Sequence, residues 1–92
     1  MKAMWNDVII AESDKTEVVE GNHYFPAESI KKEYFHKTET TTMCGWKGMA
    51  NYYSVTVDGK TNMDCAWYYQ NPSDEAQKIK GMVAFSSGVQ VI

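Results

Sequence analysis

The 92-residue sequence contains no arginine: its nine basic residues are all lysines, and they face twelve Asp and Glu for a net charge of −3. A nucleic-acid-binding face is usually basic and often reads bases with Arg, so this balance argues against that role. Long apolar runs are missing too. None approaches the ~20 residues of a membrane-spanning helix, so no membrane partner is expected. The opening "MKAMWNDVII" carries a Trp, an Asn and an Asp and does not read as a signal peptide. The chain therefore reads as cytoplasmic, with reduced thiols. Cysteine is scarce, and Cys44 and Cys65 stand as a free pair, with a disulfide left open by their spacing. Linkers, repeats and low-complexity tracts are absent, which leaves one domain over residues 1–92. A domain this short buries only roughly two thirds of its unfolded surface. What it has in quantity is aromatic: three Trp, six Tyr and three Phe, each able to bury a large area.

The local pattern is of short strands. "KAMWNDVIIAES" reads as a hairpin about Asn6-Asp7. "TEVVEGNHYFP" gives a strand, a break at Gly21-Asn22, and a second strand through Tyr24-Phe25 that Pro26 stops, because proline has no N–H for a ladder. "AESIKKEYF" suits a helical turn, and "EYFHKTETTT" suits another strand. The segment 71–80 reads as the one α-helix: Asn71 as cap, Pro72 first, acids in the first turn, Lys78 and Lys80 in the last, Gly81 as terminator. Two short strands about Ser86-Ser87-Gly88 close the chain. The class is mainly β, with short antiparallel strands and that single helix.

The hairpin about Asp58-Gly59 allows two registers. A two-residue turn pairs Val57 with Lys60 and mixes polar with apolar residues on one face. A turn over Val57-Asp58, with a left-handed Gly59 in a bulge, pairs Thr56 with Lys60 and separates the faces. The second is the expectation. It turns Cys65 and Trp67 inward and puts Asp64 and Ala66 on the opposite face, Asp64 beside Tyr52.

"YFP" at 24–26, "TTTMCGWKGMANYY" at 40–53, "VDGK" at 57–60, "AWYYQNP" at 66–72 and "IKGMVAF" at 79–85 follow one another in this order. Together they resemble the family known as domain of unknown function 427, over nearly the whole chain. The resemblance implies a small β-rich domain related to the β-tent group. Gly45 stands where that family usually has proline, and Cys65 where alanine is usual. The zinc-bearing β-tent proteins use two Cys-x-x-Cys pairs, and this chain has neither. A nucleotidyltransferase-like label attached to the family finds no Gly-Ser and Asp-x-Asp pattern here.

The central "CGWKG" carries the chemistry. Cys44 is a candidate nucleophile or redox thiol, its pKa open to lowering by Lys47 and nearby amides; the alternative is a small apolar residue, mostly buried, that starts a strand. Lys47, with Gly45 and Gly48, is an anion-binding candidate or a solvated lysine in a glycine turn. Trp46 belongs on the rim of a shallow cleft, and Tyr52, Trp67 and Tyr69 either line an aromatic pocket or fill the core. Asp64 beside Tyr52 is a polar anchor or a general base. Cys44, Cys65, His23 and His36 have zinc-ligand chemistry without paired spacing, so no metal and no cofactor are expected. The reading that results is a binding module for a small anionic or planar ligand, with Trp46, Lys47, Gly48, Tyr52 and Asp64 as binding residues. A thiol-dependent enzyme using Cys44 and a structural or assembly domain are the rivals. The chain is expected to be a monomer or a weak homodimer.

Overall fold

Three β-hairpins close through two-residue turns whose central residues both lie in the left-handed region. These are Asn6-Asp7 (φ 51 and 63), Glu20-Gly21 (φ 54 and 79) and Asp58-Gly59 (φ 51 and 75). Such turns match the twist of the strands they join, which is why short hairpins favour them. They organise the computed structural model of the chain, which describes every residue except Ser87. The strands are β1 (Lys2–Trp5), β2 (Val8–Glu12), β3 (Glu17–Val19), β4 (Asn22–Tyr24), β5 (Phe35–Cys44), β6 (Gly48–Val57), β7 (Lys60–Tyr68), β8 (Val83–Phe85) and β9 (Gln90–Val91). They form three sheets with neighbours in the order β2-β1-β9, β3-β4 and β5-β6-β7-β8, every strand pair antiparallel.

The four-stranded sheet is covered on both faces. Paired residues share a face, so Tyr53, Ala66 and Phe85 line one side, and Tyr52, Trp67 and Ala84 the other. On the first side Ala3, Ile10 and Ala11 of β1 and β2 pack with Phe25, Val55, Cys65 and Val83. On the second, Val19 and Tyr24 of the small hairpin pack with Ala50, Tyr69, Ala76, Ile79 and Ala84. Pro26 does end the preceding strand: Phe25 makes the last pair of backbone bonds there, to Val83.

Two expectations are corrected. First, 71–80 is not an α-helix. Asp74–Ile79 is a pair of 3-10 turns merged across a kink at Ala76 (φ −114, ψ 18). Ser73, not Asn71, precedes them, and its hydroxyl caps nothing in its own segment but donates to the Trp46 carbonyl. Short helices are marginal without tertiary help, and here tertiary contact favours threefold spacing. Ala76 and Ile79, three apart, are both buried, and a 3-10 turn stacks such residues directly. Gly81 does end the segment, at φ 73.

Second, the 58–59 hairpin takes the two-residue turn, with Val57 opposite Lys60 and Thr56 opposite Thr61. Gly59 is left-handed as expected. The mixed faces are resolved elsewhere, by a bulge in which Ser54 alone faces Met63, Asp64 and Cys65. Asp64 turns left-handed there (φ 52), and its N–H donates to the Ser54 hydroxyl at 2.9 Å. Cys65 is buried as expected, but so is Ala66, in the same cluster, while Trp67 is half-buried on the other face.

Candidate functional site

The "CGWKG" segment is a tight turn between β5 and β6. Cys44 pairs with Gly48, leaving Gly45, Trp46 and Lys47 as the loop. Gly48 has φ 113, which a residue with a Cβ strongly resists. The segment after β7 passes close by: a Cβ on Gly48 would lie 3.5 Å from the Asn71 carbonyl oxygen. Ser73 fastens the loop, its N–H donating to the Lys47 carbonyl at 2.9 Å and its hydroxyl to that of Trp46.

Lys47 is not a solvated lysine: only 5% of it is exposed. Its ammonium lies 5.4 Å from the centroids of both the Trp46 and Tyr69 rings, a placement worth roughly 0.5–2 kcal/mol per ring. Its ionic partner is Glu20, from the β3–β4 turn, which bonds the ammonium through one oxygen and accepts the Trp46 indole N–H at 3.4 Å through the other. Burial by itself lowers the Lys47 pKa. The Glu20 hydrogen bond, with Tyr24, Tyr69 and Cys44 as acidic neighbours, outweighs that effect and holds the pKa above the ordinary lysine value. The Lys47 bond and then the Trp46 N–H hold the Glu20 carboxyl below the ordinary range. Tyr69 is pushed up, by burial first.

Cys44, Trp46, Lys47 and Gly48 are thus brought together, with Glu20, Tyr69 and Ser73 added. Cys44 is half-buried against the cluster that holds Tyr24 and Tyr69. Tyr52 lies further along β6, with its hydroxyl 2.9 Å from the Thr42 hydroxyl. Asp64 is not part of the turn. Its two carboxylate oxygens accept from Thr38 at 2.7 Å and Thr40 at 2.8 Å, inside a second bulge in β5. Trp67 donates its indole N–H to the Tyr24 hydroxyl at 3.1 Å. The four zinc-type residues are dispersed: Cys65 packs in the other cluster, His23 bonds Thr16, and His36 is exposed on β5.

Two open cavities lie away from the turn. One, of ≈ 350 Å³, is lined by Met4, Trp5, Asn6, Asp7, Gly88 and Gln90. Another, of ≈ 290 Å³, is lined by Ile30, Lys32, Phe35, Lys37 and Tyr53. Sequence reasoning missed Glu20, because Gly21-Asn22 looked like the turn. The available signal was the Glu-Gly dipeptide, which puts Glu20 at the first left-handed position. A family model described as Domain of unknown function (DUF427) matches residues 1–92. No curated protein matches the chain.

Proposed function

We propose that this chain, which belongs to the DUF427 family over its whole length, is a binding module that takes a small, preferably planar anion at the Cys44–Gly48 turn. In the free chain the Glu20 carboxylate occupies the place of the anion. The observation that carries this reading is the asymmetry of the pair: the Lys47 side chain is 7% exposed, whereas that of Glu20 is 53% exposed. A dry ammonium between two rings is a ready anion site, and its present partner reaches it from the solvent side. Glu20 also sits at φ 54, where a residue other than Gly, Asn or Asp costs about 1–2 kcal/mol. Strain of this kind collects at sites with a role beyond packing. Trp46, 40% exposed, and Tyr69 supply ring surface for a planar ligand. Gly48 keeps the main chain slim at the same point.

The test is chemical rescue. Glu20→Ala leaves the ammonium unpaired and lowers stability. Acetate or benzoate then raises the melting temperature of this variant, and chloride at equal ionic strength does not. At ten times Kd the gain is about 1.4 kcal/mol. The Glu20→Ala/Lys47→Ala double variant shows no rescue. If carboxylates act alike on the parent, the single variant and the double variant, Glu20 and Lys47 are only a structural clamp and the reading fails.

A further inference from the structure

The cavity of ≈ 290 Å³ belongs to neither the turn nor its cluster. Tyr53 is directly opposite Lys37 in the β5–β6 ladder and shares its face, while the turn side of the sheet carries Tyr52. Tyr53 is five residues along β6 from Gly48, roughly 16 Å of strand.

Its wall is a fixed aromatic array. Phe35 stands edge-on to Tyr53, with centroids 5.5 Å apart. Tyr53 stacks on Tyr68 at 4.7 Å, and Phe35 leans on Phe85 at 6.1 Å. Ile30, buried, adds an aliphatic side. Rings already held in place lose little freedom when a ligand arrives.

Its rim is positive in a chain of net charge −3. Lys32 comes from a 3-10 turn and Lys37 from β5, so the two ammonium groups approach from different elements. Among the described residues neither has an ionic or hydrogen-bonding partner. The Tyr53 hydroxyl likewise has no partner among them, yet it is not a buried orphan, so it meets solvent. Burial, and then Tyr68, push its pKa above the ordinary phenol value, and a phenol is a donor at neutral pH even without that shift.

We infer that this pocket binds a small aromatic anion of the arene-carboxylate class, its ring against Phe35 and Tyr53 and its charge between Lys32 and Lys37. The volume lies at the small end for ligand sites and suits one or two fused rings. Lysine is a point charge without the planar fork of arginine, so the ring wall selects shape and the lysines select charge.

The probe is 1-naphthoate, followed by two-dimensional amide NMR on the full chain. Saturable shifts at Phe35, Lys37 and Tyr53 are expected in the millimolar range or tighter. 1-Naphthylmethanol, with the ring and no charge, binds more weakly, and acetate, with the charge and no ring, gives no saturable shift there. Lys32→Ala combined with Lys37→Ala weakens naphthoate about fivefold, as loss of two exposed charge pairs implies. Absence of saturation by about 10 mM overturns the inference. So does equal binding of the alcohol. Shifts centred on Trp46 and Lys47 also overturn it, and would instead support the turn as the anion site; failure of the Glu20→Ala rescue leaves this pocket untouched.

Discussion

Glu20 and Lys47 set the character of the turn at the residue scale. A buried ammonium is held charged by one exposed carboxylate and two rings, so Lys47 packs as well as pairs. The two cysteines differ by the same logic of environment. Cys65 is 1% exposed, and burial pushes its thiol up to about 11. The thiolate is the reactive form, so Cys65 is inert near neutrality. Cys44 is half-buried beside Lys47. Alkylation with iodoacetamide at pH 8, read by peptide mass, labels Cys44 in the folded chain and leaves Cys65 unmodified until the protein unfolds. Equal labelling of both would contradict the burial of Cys65. Turnover-dependent labelling of Cys44 would bring the thiol-enzyme reading forward.

At the element scale the two three-for-one bulges matter most. In β5, Thr38, Glu39 and Thr40 face Tyr52 alone; in β7, Met63, Asp64 and Cys65 face Ser54 alone. Asp64 ties them together by accepting from Thr38 and Thr40. An extra pair of residues in each long strand is thereby fixed rather than left to slip. Asp64 is left-handed, which Asn tolerates and Ala does not. Asp64→Ala loses both hydrogen bonds and adds backbone strain, at a cost of about 2 kcal/mol in denaturant unfolding. Asp64→Asn costs less than half as much and retains slow amide exchange around the β5 bulge. If the two variants are equally stable, the clamp contributes nothing.

For the whole molecule, titration defines a stability window. Glu20 has a lowered pKa in the folded chain, so its contribution is present above the ordinary value of 4.5 and is lost as pH falls through the folded value. Lys47 has a raised pKa, so its contribution is present below the ordinary 10.5 and is lost above it. Cys65, raised from 9.0 to about 11, adds an alkaline loss that begins near 9, where the unfolded thiol ionises while the folded one does not. Unfolding free energy measured against pH therefore falls at both ends. Glu20→Gln flattens the acid limb and Cys65→Ala the onset of the alkaline limb. Unchanged limbs in these variants would assign the pH dependence to other groups. No helix among the described residues is long and apolar enough to cross a membrane.

Much of the fold was legible in the sequence because strands and turns are local. Asn6-Asp7 and Gly59 are left-handed residues in chemically suited turns, Pro26 ends a strand because it has no N–H, and the β-branched and aromatic runs are the strands of the sheets. The resemblance carried by "YFP", "CGWKG" and "AWYYQNP" was legible for the same reason: it is a matter of residue order. The register of β6 on β7 was not, since the faces were sorted by a bulge at Ser54 whose driving contacts, Thr38 and Thr40, lie on a third strand. The helix read into 71–80 failed because its local signals were outweighed by Ser73 bonding to the turn and by Ala76 and Ile79 packing at threefold spacing. The surroundings of Lys47 were not legible. A lysine flanked by glycines reads either as an anion site or as a solvated side chain, and only the folded chain brings Glu20, 27 residues away, and Tyr69 around its ammonium. The same holds for the pocket at Tyr53: Lys32 and Phe35 are close in sequence, but Tyr53 joins them through the ladder. Propensity acts over a few residues, while burial and charge pairing are set by distance in space.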